Sequence, residues 1–136
     1  MPQIVAIDYG GKRTGIAVTD DMQIIASGLT TVSTSELIPF LKDYATTNKI
    51  EAFVIGEPKR LHGEASDIEV EIKVFIEKLV LAFPNLVIHR IDERFTSKMA
   101  FDTMIKSGIS KKKRQNKALV DQISATLILQ DFLNYR

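Results

Sequence analysis

Three acids, far apart in the chain, stand where an acid is disfavoured. Asp8 closes the apolar run Ile4-Val5-Ala6-Ile7 and precedes Gly10-Gly11. Glu93 lies just beyond a second run, Leu86 to Ile91, and Asp121 interrupts the apolar surface of the last helical segment. A carboxylate leaving water costs several kcal/mol unless it is paired or metal-bound. If the three converge, they form an all-oxygen, strongly anionic pocket. Such a pocket selects a hard divalent cation, Mg²⁺ or Mn²⁺.

Each acid also has an ordinary reading. Asp8 could be a turn aspartate, because Asp-x-Gly is common in hairpins. Alternation puts it on the face of Ala6 and Ile4, opposite Ile7 and Val5. Both faces are apolar, so the strand reads as central and buried from both sides. In Asp92-Glu93-Arg94, neighbouring residues face opposite ways, and the longer arm favours Glu93 as the one aimed at a site. Arg94 could grip a carboxylate or a phosphate bidentately. Asp121 shares a helix side with Ala118, Ala125, Ile128 and Phe132, beside a seam of Leu119, Val120, Ile123 and Leu127. It could instead cap the helix or pair with Lys117.

The elements that must position these acids are readable from pattern. Strands are expected over about 3–9, 14–19 and 23–31, turned by Gly10-Gly11 and by Asp20-Asp21. A helix capped by Ser33, Thr34 or Ser35 follows, with Leu37, Phe40, Leu41, Tyr44 and Ala45 at helical spacing. A fourth strand over 52–55 stops at Gly56 and Pro58. Ile68, Ile72, Phe75, Ile76, Leu79 and Phe83 then trace a stripe of period near 3.6, ended by Pro84. A fifth strand spans 86–91. A short helix capped by Thr96 or Ser97 comes next, with Met99, Ala100, Met104 and Ile105 as its inward side and Gly108 as its stop. The last helix covers about 116–133. Three antiparallel strands followed by alternating strands and helices predict an α/β fold: a mixed sheet with helices on both faces, in one domain over 1–136.

Composition narrows the partners. The 136 residues are 45% hydrophobic and contain no cysteine, which excludes disulfides and thiolate zinc sites. No run approaches the roughly 18 apolar residues of a membrane span. The N-terminal residues lack the pattern of a signal peptide, so a cytoplasmic location is expected. Net charge is +1, yet residues 106–117 hold Lys106, Lys111, Lys112, Lys113, Arg114 and Lys117 without one acid. The rest of the chain is therefore acidic, at −5. An acidic body with one basic segment suits a polyanion substrate and a cation-filled site, although a solvated basic loop is the plainer reading of that segment alone. The loop Gly56-Glu57-Pro58-Lys59-Arg60-Leu61-His62-Gly63 adds two phosphate-binding candidates, Lys59 and Arg60. His62 could shuttle a proton; His89 is assigned no role.

Four segments together resemble the YqgF/RuvX family of pre-16S ribosomal RNA nucleases, also called Holliday-junction resolvase-like proteins. They are Ile7-Asp8-Tyr9-Gly10 with Arg13-Thr14-Gly15-Ile16-Ala17-Val18; Val54-Ile55-Gly56 with Pro58 and Gly63; Asp92 to Ser97; and Val120-Asp121 with Ile128-Leu129-Gln130. The resemblance implies a ribonuclease H-like fold and a metal-binding carboxylate set of Asp8, Glu93 and Asp121. Gln122-Ile123-Ser124 departs from the small alanines usual in relatives, and reads as a packing variation. On this basis two ions about 3.5–4 Å apart would share Asp8 and drive phosphodiester hydrolysis, leaving a 5′-phosphate and a 3′-hydroxyl. Lys59, Arg60, Arg94, Lys111, Lys112, Lys113, Arg114 and Lys117 would neutralise phosphates. The substrate expected is structured nucleic acid, with ribosomal RNA precursor favoured over four-way DNA, acted on by a monomer or homodimer. Two other classes stay open: a non-catalytic RNA- or junction-binding module, and an ATP-binding actin-like core. The second would need another lobe to close over nucleotide.

Overall fold

β1 (Gln3–Asp8) is the middle strand of a mixed sheet, and its sequence explains why. Ile4, Val5, Ala6 and Ile7 are all buried, alternate members facing opposite layers. The computed structural model describes residues 2–58, 67–106 and 116–136. β2 (Arg13–Thr19) pairs antiparallel with β1, and β3 (Ala26–Ser33) antiparallel with β2. A 3₁₀ turn (Thr34–Glu36) leads into α1 (Leu37–Thr47). β4 (Ile50–Glu57) lies parallel to β1 on its other side. After α2 (Glu69–Ala82), β5 (Val87–Asp92) adds parallel to β4. A second 3₁₀ turn (Glu93–Phe95), α3 (Ser97–Lys106) and α4 (Lys117–Tyr135) follow. The strand order is β3-β2-β1-β4-β5.

The two sheet faces carry different cores. Val5, Ile7, Ile16, Phe53 and Ile55 pack beneath α1 and α2 against Leu37, Leu41, Ile72, Phe75 and Leu79. Ile4, Ala6, Ala17 and Val54 meet Ala125, Ile128 and Leu129 of α4 on the other face. The second face is built from smaller residues, so α4 comes closer to the sheet. At Gly15 the approach leaves no room for a side chain: a Cβ there would run into the main-chain carbonyl of Asp121. Among the described residues no helix is long and apolar enough to cross a membrane.

Three expectations about where elements begin and which way they face need correction. β3 begins at Ala26, not near residue 23, because the Asp20 carboxylate accepts the backbone N–H groups of Ile24 and Ile25 and holds a longer turn. In that turn Gln23 adopts φ 57°. α3 does not turn Ala100 and Met104 inward. Both are exposed, and the inward-reaching side chain is Lys98, because α3 borders a charged site rather than an apolar core. On α4, Ala118 and Leu119 are exposed, and the buried line runs through Ser124, Ala125, Ile128, Leu129 and Asp131.

Docking of α4 at Gly15 generates a stability prediction. Gly15→Ala forces the helix off the sheet and should destabilise the fold by about 1–3 kcal/mol or more. Gly11→Ala, whose Cβ would meet, among the described residues, only the Glu71 side chain at 3.8 Å, should stay within about 0.5 kcal/mol of the parent. Urea unfolding of both variants checks this; equal stabilities would contradict the packing argument.

Candidate carboxylate site

Asp8 is the last residue of β1, and small residues stand on both sides of it in the sheet. It pairs with Gly15 of β2, while Gly56 of β4 follows Ile55, the parallel partner of Ile7. Gly15 admits the backbone of α4 at Asp121. Gly56 admits the Glu93 side chain, whose Oε1 would lie 2.5 Å from a Cβ at that position. The two glycines therefore let two further acids close in on the end of the strand that carries the first.

The Asp92-Glu93 pair splits as the strand ends. Asp92 accepts the Arg94 backbone N–H at 3.0 Å and holds the Arg94 guanidinium, Nη2 to Oδ2 at 2.8 Å. Glu93 turns the other way, over Gly56, with Oε1 3.7 Å from Lys98 Nζ. Lys98 also donates to Asp102 Oδ2 at 2.7 Å. Asp121 accepts from Arg13 Nε at 2.8 Å, so its partner is Arg13 on β2, not Lys117.

The electrostatics are those of crowded like charges. The Asp8 carboxyl is pushed up to about 7. Burial is the main cause; Glu93, Asp102 and Asp121 add repulsion, and Lys98 opposes it. Burial also raises Glu93, against the attraction of Lys98. For Lys98 burial acts to lower the pKa, but Asp8, Glu93 and Asp102 more than reverse this, so the ammonium stays charged. The end of β4 is fixed separately. Arg90 binds Glu69 through both guanidinium nitrogens, at 2.8 and 3.2 Å, and donates to the carbonyls of Ile55 and Gly56. Glu69 is only 4% exposed, and this bidentate pair ties α2 to the strand under the site.

The sequence-derived candidates distribute as follows. Asp8, at the C-terminal end of β1, feels the charges of both Glu93 and Asp121. Gly10 lies in the β1–β2 turn, its carbonyl accepting from Thr34 Oγ1 at 2.6 Å. Gly56 and Pro58 lie at the end of β4. Arg94 is engaged by Asp92, and Lys117 is exposed at the start of α4. Lys59, Arg60, His62, Gly63, Lys111, Lys112, Lys113 and Arg114 lie outside the described residues. As the side chains stand, no three acids or histidines among the described residues are gathered tightly enough to hold one ion. Arg13 and Lys98 occupy the carboxylates instead. The donor chemistry nonetheless fits a hard divalent cation: every group is a carboxylate, and Asp8 carries a pKa that a neighbouring cation would lower.

Four residues at or beside the site were not singled out by sequence. Lys98 and Asp102 are an i, i+4 pair, a spacing that ordinarily marks a solvated helix face. Arg13 lies 108 positions from Asp121. Asp131, 6% exposed on α4, accepts from the backbone N–H and the hydroxyl of Ser97. The cap of α3 is therefore a carboxylate from another helix, not the Thr96 or Ser97 hydroxyl, and Thr96 Oγ1 donates to the Glu93 carbonyl.

A mixed sheet with strand order 3-2-1-4-5, helices on both faces and acids gathered where the central strand ends defines an α/β chain of the ribonuclease H-like class. The family model described as RuvX, Holliday junction resolvase, matches residues 2–135. Three relatives, each named "Putative pre-16S rRNA nuclease", align over 98% of this chain. They come from Flavobacterium psychrophilum (62% identical, 97% of the relative covered), Flavobacterium johnsoniae (60%, 97%) and Christiangramia forsetii (56%, 98%). The chain belongs to the RuvX family.

The raised Asp8 pKa fixes a sign for the metal-free protein. The folded state holds this proton more tightly than the unfolded state, so stability falls as pH rises from about 4 through about 7. Asp8→Asn removes that cost. With EDTA present, it should stabilise the protein at pH 8 by roughly 1–3 kcal/mol, and the gain should vanish near pH 4. Urea titrations at the two pH values check this; a variant less stable than the parent at pH 8 would contradict it.

Proposed function

We propose that this protein is a metal-dependent endonuclease that hydrolyses phosphodiester bonds of structured RNA, in maturation of the 5′ end of the 16S ribosomal RNA precursor. The observation that carries the proposal is the approach of Glu93 over Gly56 and of Asp121 over Gly15 to the end of β1, where Asp8 feels both charges. Membership of a family whose relatives bear nuclease names supports it. Asp8, Glu93 and Asp121 would hold Mg²⁺ or Mn²⁺. A divalent ion so bound supplies activation of a water and neutralisation of charge developing on the phosphate.

The chain's own side chains have distinct tasks. Arg13 holds Asp121 by its Oδ2 and so orients that carboxylate. Arg90 anchors the β4 end over which Glu93 lies, which limits the freedom of that acid. Lys117 and Arg94 would contact flanking phosphates, together with Lys59, Arg60 and the basic residues 111–114. Arg94 would do so by exchanging the Asp92 carboxylate for a phosphate. Loss of any one phosphate contact should weaken binding evenly across sequences and reduce the salt slope by about 1.

A second reading, cleavage of four-way DNA junctions, is favoured by the description of the matching family. One experiment addresses both. Highly purified protein is incubated with Mn²⁺ or Mg²⁺ and either a precursor 16S RNA fragment or a four-way DNA junction, with Asp8→Asn as control. Metal-dependent RNA cleavage, reduced at least about a thousandfold in Asp8→Asn, is the expected result. Preferred junction cleavage would favour the second reading. Equal cleavage by parent and variant would sink both.

A further inference from the structure

We propose that Lys98 is a resident cation of the carboxylate site, its ammonium standing where a second divalent ion would otherwise sit, so that this chain binds one Mg²⁺ or Mn²⁺ rather than two. The inference rests on the metal-dependent reading above and revises the two ions expected from the sequence. Three observations carry it. First, Lys98 Nζ lies 2.7 Å from Asp102 Oδ2 and 3.7 Å from Glu93 Oε1, so one ammonium bridges two acids from different elements. Second, the pair is inverted relative to a surface ion pair. The lysine side chain is 12% exposed, while its partner Asp102 is 41% exposed. Third, Lys98 lies in the first turn of α3, where the helix dipole repels a cation. Neither helix electrostatics nor solvation favours this position, so the acids must hold the ammonium there.

Charge balance leads to the same count. Asp8, Glu93, Asp102 and Asp121 carry −4 when ionised, and Arg13 with Lys98 returns +2. One divalent ion then neutralises the group, whereas two would leave it at +2. Without the ammonium the group carries −3, and a second ion becomes electrostatically acceptable. A tethered cation also costs no binding from solution.

Calorimetry with Mn²⁺ on metal-free protein tests this without reference to cleavage. The parent should bind one ion. Lys98→Met should bind two, the first at least about tenfold more tightly. Lys98→Arg, which keeps the charge, should bind one. Circular dichroism checks that each variant folds, and Lys98→Gln replaces the Met variant if that one does not. Two ions in the parent, or the same count and affinity in parent and Lys98→Met, would overturn the role of Lys98 and leave the metal-dependent reading intact. No binding by any of the proteins would overturn both.

Discussion

Asp8 is buried at the end of a central strand and feels the charges of Glu93, Asp102 and Asp121, and that repulsion is the condition that the surrounding structure has to meet. A buried acid beside other acids ionises readily only with counter-charge nearby. The protein supplies that charge with two basic side chains. Arg13 reaches across from β2 to Asp121, and Lys98 in the first turn of α3 pairs with Glu93 just before the helix and with Asp102 one turn on. Even so, burial keeps the Asp8 carboxyl pKa near neutrality, and an added cation would lower it.

Geometry is set by what the neighbouring strands leave out. Side chains at positions 15 and 56 would fill the space that the α4 backbone and the Glu93 carboxylate occupy. The empty volume is useful only because the strands around it are rigid. The buried face under α1 and α2 holds the sheet from one side, and the Arg90–Glu69 pair fixes the end of β4. A loosely held β4 would let Glu93 drift away from Asp8. The stability of the first core is thus tied to the positioning of acids on the opposite layer.

Much of this was legible in the sequence. The alternating burial of residues 4–7, the stripe through Ile72, Phe75 and Leu79, and the turn glycines fixed the order and class of elements, because period and punctuation are local properties. Asp8, Glu93 and Asp121 were visible as acids out of place. Their cationic partners were not. The Arg13–Asp121 contact depends on how α4 settles on the sheet, and no local pattern encodes it. Lys98 and Asp102 imitate a solvent-facing helical pair, and only the packing of α3 beside Glu93 reveals that the lysine points inward. The same holds for Asp131, which lies near the end of one helix and serves as the cap of another.

That cap ties the assembly of the site to the last helix. α4 contributes Asp121 directly, and through Asp131 it also secures the first turn of α3, the turn that bears Lys98. Every described strand of the sheet precedes α4 in the chain. Asp121 reaches the end of β1, and α3 gains its cap, only when that helix docks on the sheet.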